Sequence, residues 1–175
     1  MFDYKYCNIL MASNIAKQSE VKTRHGCVIM SKNKIIAEGC NATQANRSRL
    51  MVKYGPRKMG CTIHAETAAI GQLLANLRYG TSNVNIKRKK YDLYVARDNL
   101  KNSKPCHNCT ELLKHFGIYR AIYSDDNSET GYTTEKVSTL DNVHLSTSDI
   151  RLRKYEYEIQ KIIFIEAKKL KLREY

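Results

Sequence analysis

The sequence predicts an α/β fold built on a mixed sheet, and three observations carry that expectation. Short β-rich runs alternate with helical runs along the chain. The first two β-rich runs are separated only by Ser31-Lys32-Asn33, which requires antiparallel pairing in a hairpin. Two later runs flank a helical stretch, which requires parallel pairing through a crossover. The 175 residues suffice for one core without staples. With 42% apolar and 27% charged residues, 8 Gly and 2 Pro, the composition excludes collagen-like, mucin-like and disordered classes.

Residues 3–19 place Cys7, Leu10, Met11 and Ile15 at helical spacing, with Ala12 and Ala16 adding propensity, so an amphipathic first helix ending near Gln18 is expected. The hairpin strands are His25 to Met30 and Lys34 to Gly39. From Cys40 to Ile63 the chain is polar and basic, broken by Gly55-Pro56 and Gly60, and reads as a long loop of the kind that often carries function. His64 to Leu77, rich in Ala and Leu, suits a buried helix, and a basic connection leads from it to a strand at Tyr91 to Ala96. Cys106 to Gly117 reads as a helix with Cys109, Leu112, Leu113 and Phe116 on one side and Gly117 as its stop. A strand at Arg120 to Tyr123 follows, then a further one at Thr130 to Val137, and a basic helix from about Tyr155 to Leu172. The expected organisation is one domain over residues 1–150 and a basic helical extension over 151–175.

The longest apolar run is Ile162 to Ile165, far short of a membrane span, and the N-terminal residues Met1 to Lys5 lack the charged-then-apolar order of a secretion signal. These features predict a soluble cytoplasmic protein with no membrane partner. Six cysteines in such a chain point to thiols or metal ligands before disulfides. The net charge of +13 is concentrated. Residues 42–60 contain Arg47, Arg49, Lys53, Arg57 and Lys58 with no acid, and residues 78–90 contain Arg78, Lys87, Arg88, Lys89 and Lys90, again with none. Such segments are either solvated loops or a phosphate-binding surface for RNA or single-stranded DNA.

Chemistry concentrates in two short motifs. His64-Ala65-Glu66 alone is weak, since a chain with 5 His is expected to hold His-x-Glu about 0.3 times by chance. Pro105-Cys106-His107-Asn108-Cys109 is expected only ~0.002 times on composition, so the pair of motifs carries the argument. In this order they match the H-x-E and P-C-x-x-C signature of zinc nucleobase deaminases. Cysteines at i and i+3 share one side of a helix's first turn and reach one ion, and the helix N-terminus favours their thiolates. Pro105 fits ahead of that turn, where a missing N–H does no harm. With His64 as third donor, Zn2+ keeps a tetrahedral position for water, and Glu66 stands beside the metal as general acid and base.

On these residues the chain resembles the cytidine deaminase superfamily, specifically its cytidylate/deoxycytidylate and tRNA-adenosine deaminase branch, over roughly residues 3–125. The resemblance implies a three-layer fold with a mixed five-stranded sheet flanked by helices, and zinc motifs at the starts of the second and third helices. It implies that His64, Cys106 and Cys109 bind zinc, that Glu66 shuttles protons, and that the chain forms a homo-oligomer. Ala37 to Asn41 resembles the end of the family's second strand, which makes Asn41 a substrate contact. Arg120 to Tyr123 resembles the strand of polynucleotide cytidine deaminases whose aromatic packs on the target base; Tyr123 is either that contact or a strand tyrosine half in the core. Ser103-Lys104-Pro105 departs from the Thr-x-x-Pro and Thr-x-Glu-Pro lead-ins of the family, which leaves the substrate open. Cys61 with His25 or Cys40 offers partners for a second, structural zinc. The first functional expectation is hydrolytic deamination of cytosine in a nucleotide such as CMP or dCMP, with Arg24, Arg47 and Arg49 on the phosphate. The second is deamination of cytosine or adenine within RNA or single-stranded DNA gripped by the basic loops. A third is a zinc-stabilised nucleic-acid-binding protein without catalysis, against which the presence of Glu66 speaks.

Overall fold

Nearly continuous apolar runs give the central strands two faces to bury, and the computed structural model, which describes residues 3–43, 62–79, 90–146 and 150, covers both. In chain order the elements are α1 (Tyr4–Ala16), β1 (His25–Ser31), β2 (Lys34–Cys40), β3 (Ala42–Thr43), β4 (Thr62–Ile63), α2 (Ala65–Tyr79), β5 (Tyr91–Arg97), α3 (His107–His115), β6 (Arg120–Ser124) and β7 (Tyr132–Lys136). The main sheet has the order β2-β1-β5-β6-β7, and β3 and β4 form a separate two-stranded ribbon. The five-stranded mixed sheet expected from the sequence is thus present. The expected loop over 40–63 differs in one respect: its two ends pair through the ribbon, Ala42 opposite Ile63 and Thr43 opposite Thr62. The helix expected to stop at Leu77 continues to Tyr79.

Strand directions fix where the site must be. β1 is antiparallel to β2 and to β5, β5 is parallel to β6, and β7 is antiparallel to β6. β2, β5 and β6 therefore run one way, so their C-terminal ends share one edge of the sheet with the N-terminal end of β1. The crossover after β2 ends in α2 and the crossover after β5 is α3, so both helices begin at that same edge.

Side-chain alternation separates two cores. Cys27, Ile29, Leu93, Val95, Ala121 and Tyr123 face α2 and α3, meeting Ala65, Ala69, Ile70, Leu73 and Leu113. Val28, Met30, Tyr94, Ala96 and Ile122 point the other way and pack on Ile9, Ala12 and Ile15 of α1. Two glycines in neighbouring strands seat the helices, one on each face of the sheet. A Cβ on Gly39 would lie 2.6 Å from the Ala69 nitrogen of α2, and one on Gly26 would lie 2.1 Å from the Ala12 carbonyl oxygen of α1.

That close approach corrects the face expected for the first helix. Its inward residues are Ile9, Ala12, Ser13, Ile15 and Ala16, whereas Leu10 and Met11, expected inside, are 39% and 37% exposed and Cys7 is half-buried. Small side chains at Ala12 and Ala16 let the helix backbone meet Gly26, and the larger residues rotate outward. Asp3 caps this helix by accepting the Lys5 amide at 2.9 Å and the Tyr6 amide at 3.3 Å. The expected stop at Gly117 holds. It adopts φ 65°, and amides of Gly117 and Ile118 bond the Lys114 and Leu113 carbonyls at 3.1 Å, the Schellman pattern. No helix among the described residues is long and apolar enough to cross a membrane. The proposed extension over 151–175, its helix, and the basic stretches 44–61 and 80–89 lie outside the described residues.

The seating of α1 is testable. Gly26→Ala forces the helix backbone off β1 and is expected to cost about 2–3 kcal/mol, seen as a fall in Tm of several degrees. An unchanged Tm would show that α1 does not depend on this contact.

Candidate active site

The two chemical motifs stand at the helix starts that the sheet directions bring together. His64 follows β4 and immediately precedes α2, and Glu66 is in the first turn of that helix. Cys106 is the N-cap residue of α3 and Cys109 lies one turn on. The loop that delivers Cys106 is pinned to the ends of β5 and β6. Ser103 donates its amide to the Ser124 carbonyl at 2.9 Å and its hydroxyl to the Val95 carbonyl at 2.8 Å, and the Ser124 hydroxyl donates to the Lys101 carbonyl at 2.7 Å. On the far side, the His107 amide donates to the His144 carbonyl at 2.8 Å and Asn142 Nδ2 donates to the Pro105 carbonyl at 2.6 Å. The segment around residue 142 thus braces the start of α3 from outside.

His64, Cys106 and Cys109 each present one donor atom, all within 4.8 Å of one another, and among the described residues they form the one such cluster. His64 Nδ1 lies 3.2 Å from Cys109 Sγ and 3.5 Å from Cys106 Sγ. A tetrahedral ion with zinc–nitrogen and zinc–sulfur bonds of about 2.0 and 2.3 Å sets nitrogen and sulfur about 3.5 Å apart, so the donor set fits zinc. The thiol of Cys106 is pulled down to about 5, first by its hydrogen bond with Cys109 and then by His64 and the Cys109 amide, against its burial. A thiolate is the form a metal takes.

Glu66 is 6% exposed. Burial raises its pKa above the ordinary carboxylate value, Cys106 adds to the rise, and His64 opposes it. A carboxyl so placed exchanges a proton more readily near neutral pH than a solvated one. Cys27, buried beneath it, is held well above the usual thiol range by burial and by Glu66, and is a core thiol. Cys61 lies outside the described residues, and His25 and Cys40 join no metal cluster among them.

The cavity beside this cluster measures about 850 Å³, and Asn41, His64, Glu66 and Cys106 are on its wall. Asn41 is almost wholly buried and braced: its Oδ1 accepts the His25 amide at 2.8 Å and its Nδ2 donates to the Thr23 carbonyl at 2.7 Å. Tyr123 takes the core alternative. It is 4% exposed within the α2/α3-side core, off the cavity wall, and its hydroxyl donates to Glu135. The alternation of β6 decides this, because Tyr123 shares its face with Ala121 beneath the helices. The expectation of a base contact is corrected accordingly. Arg24 is exposed and off the cavity wall, although its neighbours Thr23 and His25 are on it. Arg47 and Arg49 lie outside the described residues.

Three Lys and Arg residues on the wall, Arg97, Lys101 and Lys104, are outside the site residues that the sequence singles out. Lys104 pairs with Glu135 at 2.9 Å. Arg97 donates through Nε to His25 Nε2 at 3.2 Å. The available signal was position, since a cation closing a β-run and a histidine opening another become neighbours once those strands pair.

Comparison with curated protein sequences gives no match. Among solved structures, the cytidine deaminase of Burkholderia pseudomallei is similar with a TM-score of 0.52 at 14% identity, over 76% of this chain and 92% of that one. A mutant cytidine deaminase from Mycobacterium tuberculosis gives 0.50 at 16% identity, over 79% and 93%. The apo dCMP deaminase of cyanophage S-TIM5 gives 0.49 at 16% identity, over 73% and 92%. At these identities the likeness to the two cytidine deaminases shows a shared fold. The zinc-binding region of cytidine and deoxycytidylate deaminases matches residues 5–125, more than half of the sequence and both motifs, and the chain belongs to that family of zinc-dependent deaminases.

Proposed function

We propose that this deaminase converts cytosine to uracil in a small cytidine-type nucleotide such as CMP or dCMP, with His64, Cys106 and Cys109 as zinc ligands and Glu66 as proton carrier. The observation that carries the reading is the buried Glu66 carboxyl, its pKa raised, on the wall of a cavity shared with the His64, Cys106 and Cys109 donors. When bound, zinc supplies the Lewis acidity that brings the pKa of a water toward about 7.

Glu66 takes one proton from the attacking water and passes it to ring N3 as the oxygen bonds to C4. It then carries the second proton to the amino nitrogen, the C4–N bond breaks, and ammonia leaves as the carbonyl forms. Atoms balance as cytosine plus water to uracil plus ammonia. The site's position suits this work: the first turn of α2 fixes Glu66, and its burial keeps bulk water from competing for the proton. The nucleotide reading rests on the cavity wall, where Arg97 and Lys101 add positive charge beside the reacting centre.

The zinc-loaded protein is to be incubated with CMP, dCMP, a cytidine-containing single strand and a tRNA, with product read by mass. Turnover of a monophosphate supports the reading, and turnover of a polymer alone refutes it. Glu66→Gln is expected to keep zinc and fold while lowering kcat by ~10²- to 10⁴-fold; near-parental turnover would remove Glu66 from the mechanism. Cys106→Ser or Cys109→Ser is expected to lose most of the metal, and chelation of the parent protein is expected to lower its Tm, with recovery on adding zinc, because a ligand of the native state stabilises it. A full zinc equivalent in both cysteine variants would overturn the ligand assignment.

A further inference from the structure

Resting on that reading, we infer that Arg97, oriented by His25 and supported by Lys101, is the residue by which the site selects a substrate bearing a phosphate monoester over the neutral nucleoside. Arg97 is the last residue of β5 and His25 the first of β1, and they stand directly opposite each other in the antiparallel ladder. Opposed residues project to the same face of a sheet, and here both side chains reach the cavity wall. The guanidinium uses Nε on His25 Nε2, and its two terminal nitrogens have no hydrogen-bond or ion-pair partner among the described residues. A fork of N–H groups held at one corner is what a phosphate takes in a bidentate contact.

His25 is built to hold that corner. Its Nδ1 lies 3.3 Å from the Thr23 carbonyl, so the proton belongs on Nδ1 and Nε2 is left as acceptor. Burial, then the charge of Arg97, presses the imidazole pKa down to about 4, which keeps it neutral. Asn41 locks the backbone on either side through the His25 amide and the Thr23 carbonyl.

The charge balance favours an anion. Lys104 on this wall is taken by Glu135, but the Lys101 ammonium has no ion-pair partner among the described residues. The wall's acids are Glu66, assigned to proton transfer, and the exposed Asp126, which accepts the Asn102 amide at 2.9 Å. Outside the Lys104–Glu135 pair, Arg97 and Lys101 outnumber Asp126 on this wall, which suits an anionic phosphate better than a neutral nucleoside.

The test uses the full zinc-loaded chain. It compares dCMP with deoxycytidine by kcat/KM, and dUMP with deoxyuridine by calorimetric binding. Arg97→Gln is expected to lower kcat/KM for dCMP ~10- to 100-fold more than for deoxycytidine, chiefly through KM, with the same selective loss for dUMP binding. Arg97→Lys recovers part of the difference. His25→Ala lowers the dCMP preference and His25→Gln, whose amide oxygen can accept from Arg97, restores it; a purely structural His25 would depress both substrates alike. A parental preference for dCMP that survives Arg97→Gln in both assays overturns the role of Arg97 while leaving the nucleotide reading intact. A parent protein without preference for the monophosphate, or active only on polymers, overturns the nucleotide reading itself before any variant is made, and the role of Arg97 with it.

Discussion

The structure depends on one constraint: β2, β5 and β6 point the same way, with β1 running back between the first two. Parallel strands need a crossover, and a crossover helix must start where the preceding strand ends. Two such connections deliver two helix N-termini to one edge of the sheet, and the reversed β1 adds its own first residue there. Open α/β sheets place ligands at the carboxyl ends of their strands for this reason. Here the edge gathers His64 and Glu66 at the start of α2, Cys106 and Cys109 at the start of α3, Asn41 after β2, Arg97 closing β5 and His25 opening β1.

The helix starts then do electrostatic as well as geometric work. Unpaired amides and the positive end of the peptide dipoles favour anions at exactly the residues that must be anionic to hold a cation. Cys106 sits at such a start with its thiol already drawn down to about 5, and its leading amide is satisfied from outside by His144. Glu66 sits at the other, but burial outweighs the favourable surroundings and lifts it. Similar helix positions thus hold a lowered thiol in one case and a raised carboxyl in the other, separated by desolvation.

What was legible in the sequence was local. The β-rich runs, the Gly117 stop, and the His64–Glu66 and Cys106–Cys109 spacings are each set within a few residues of chain, and the structure brings the His64, Cys106 and Cys109 donors together. The readings that changed depend on contacts between elements. The inward face of α1 is decided by the absent side chain of Gly26, which no periodicity within the helix reveals. Tyr123 goes to the core because of which face of β6 the helices cover. His25 and Arg97 are 72 residues apart and become a pair only through register, so neither motif nor charge run could announce them.

The sequence points to basic-loop residues Arg24, Arg47 and Arg49 for a phosphate, because charge density is what a sequence displays. Charge density is a poor guide to selectivity. A cation on an exposed loop must be ordered when it binds, and that entropy is subtracted from its affinity, whereas a guanidinium fixed at a strand end and tied at Nε has already lost most of it. The reacting centre itself, zinc donors and carboxyl, treats a cytosine ring the same way whatever is attached to the sugar. Discrimination between a nucleotide and a nucleoside therefore has to come from a group outside that centre, held rigidly enough to be worth its full electrostatic value. Among the described residues Arg97 meets that requirement through the sheet, where His25 stands opposite it and holds its Nε.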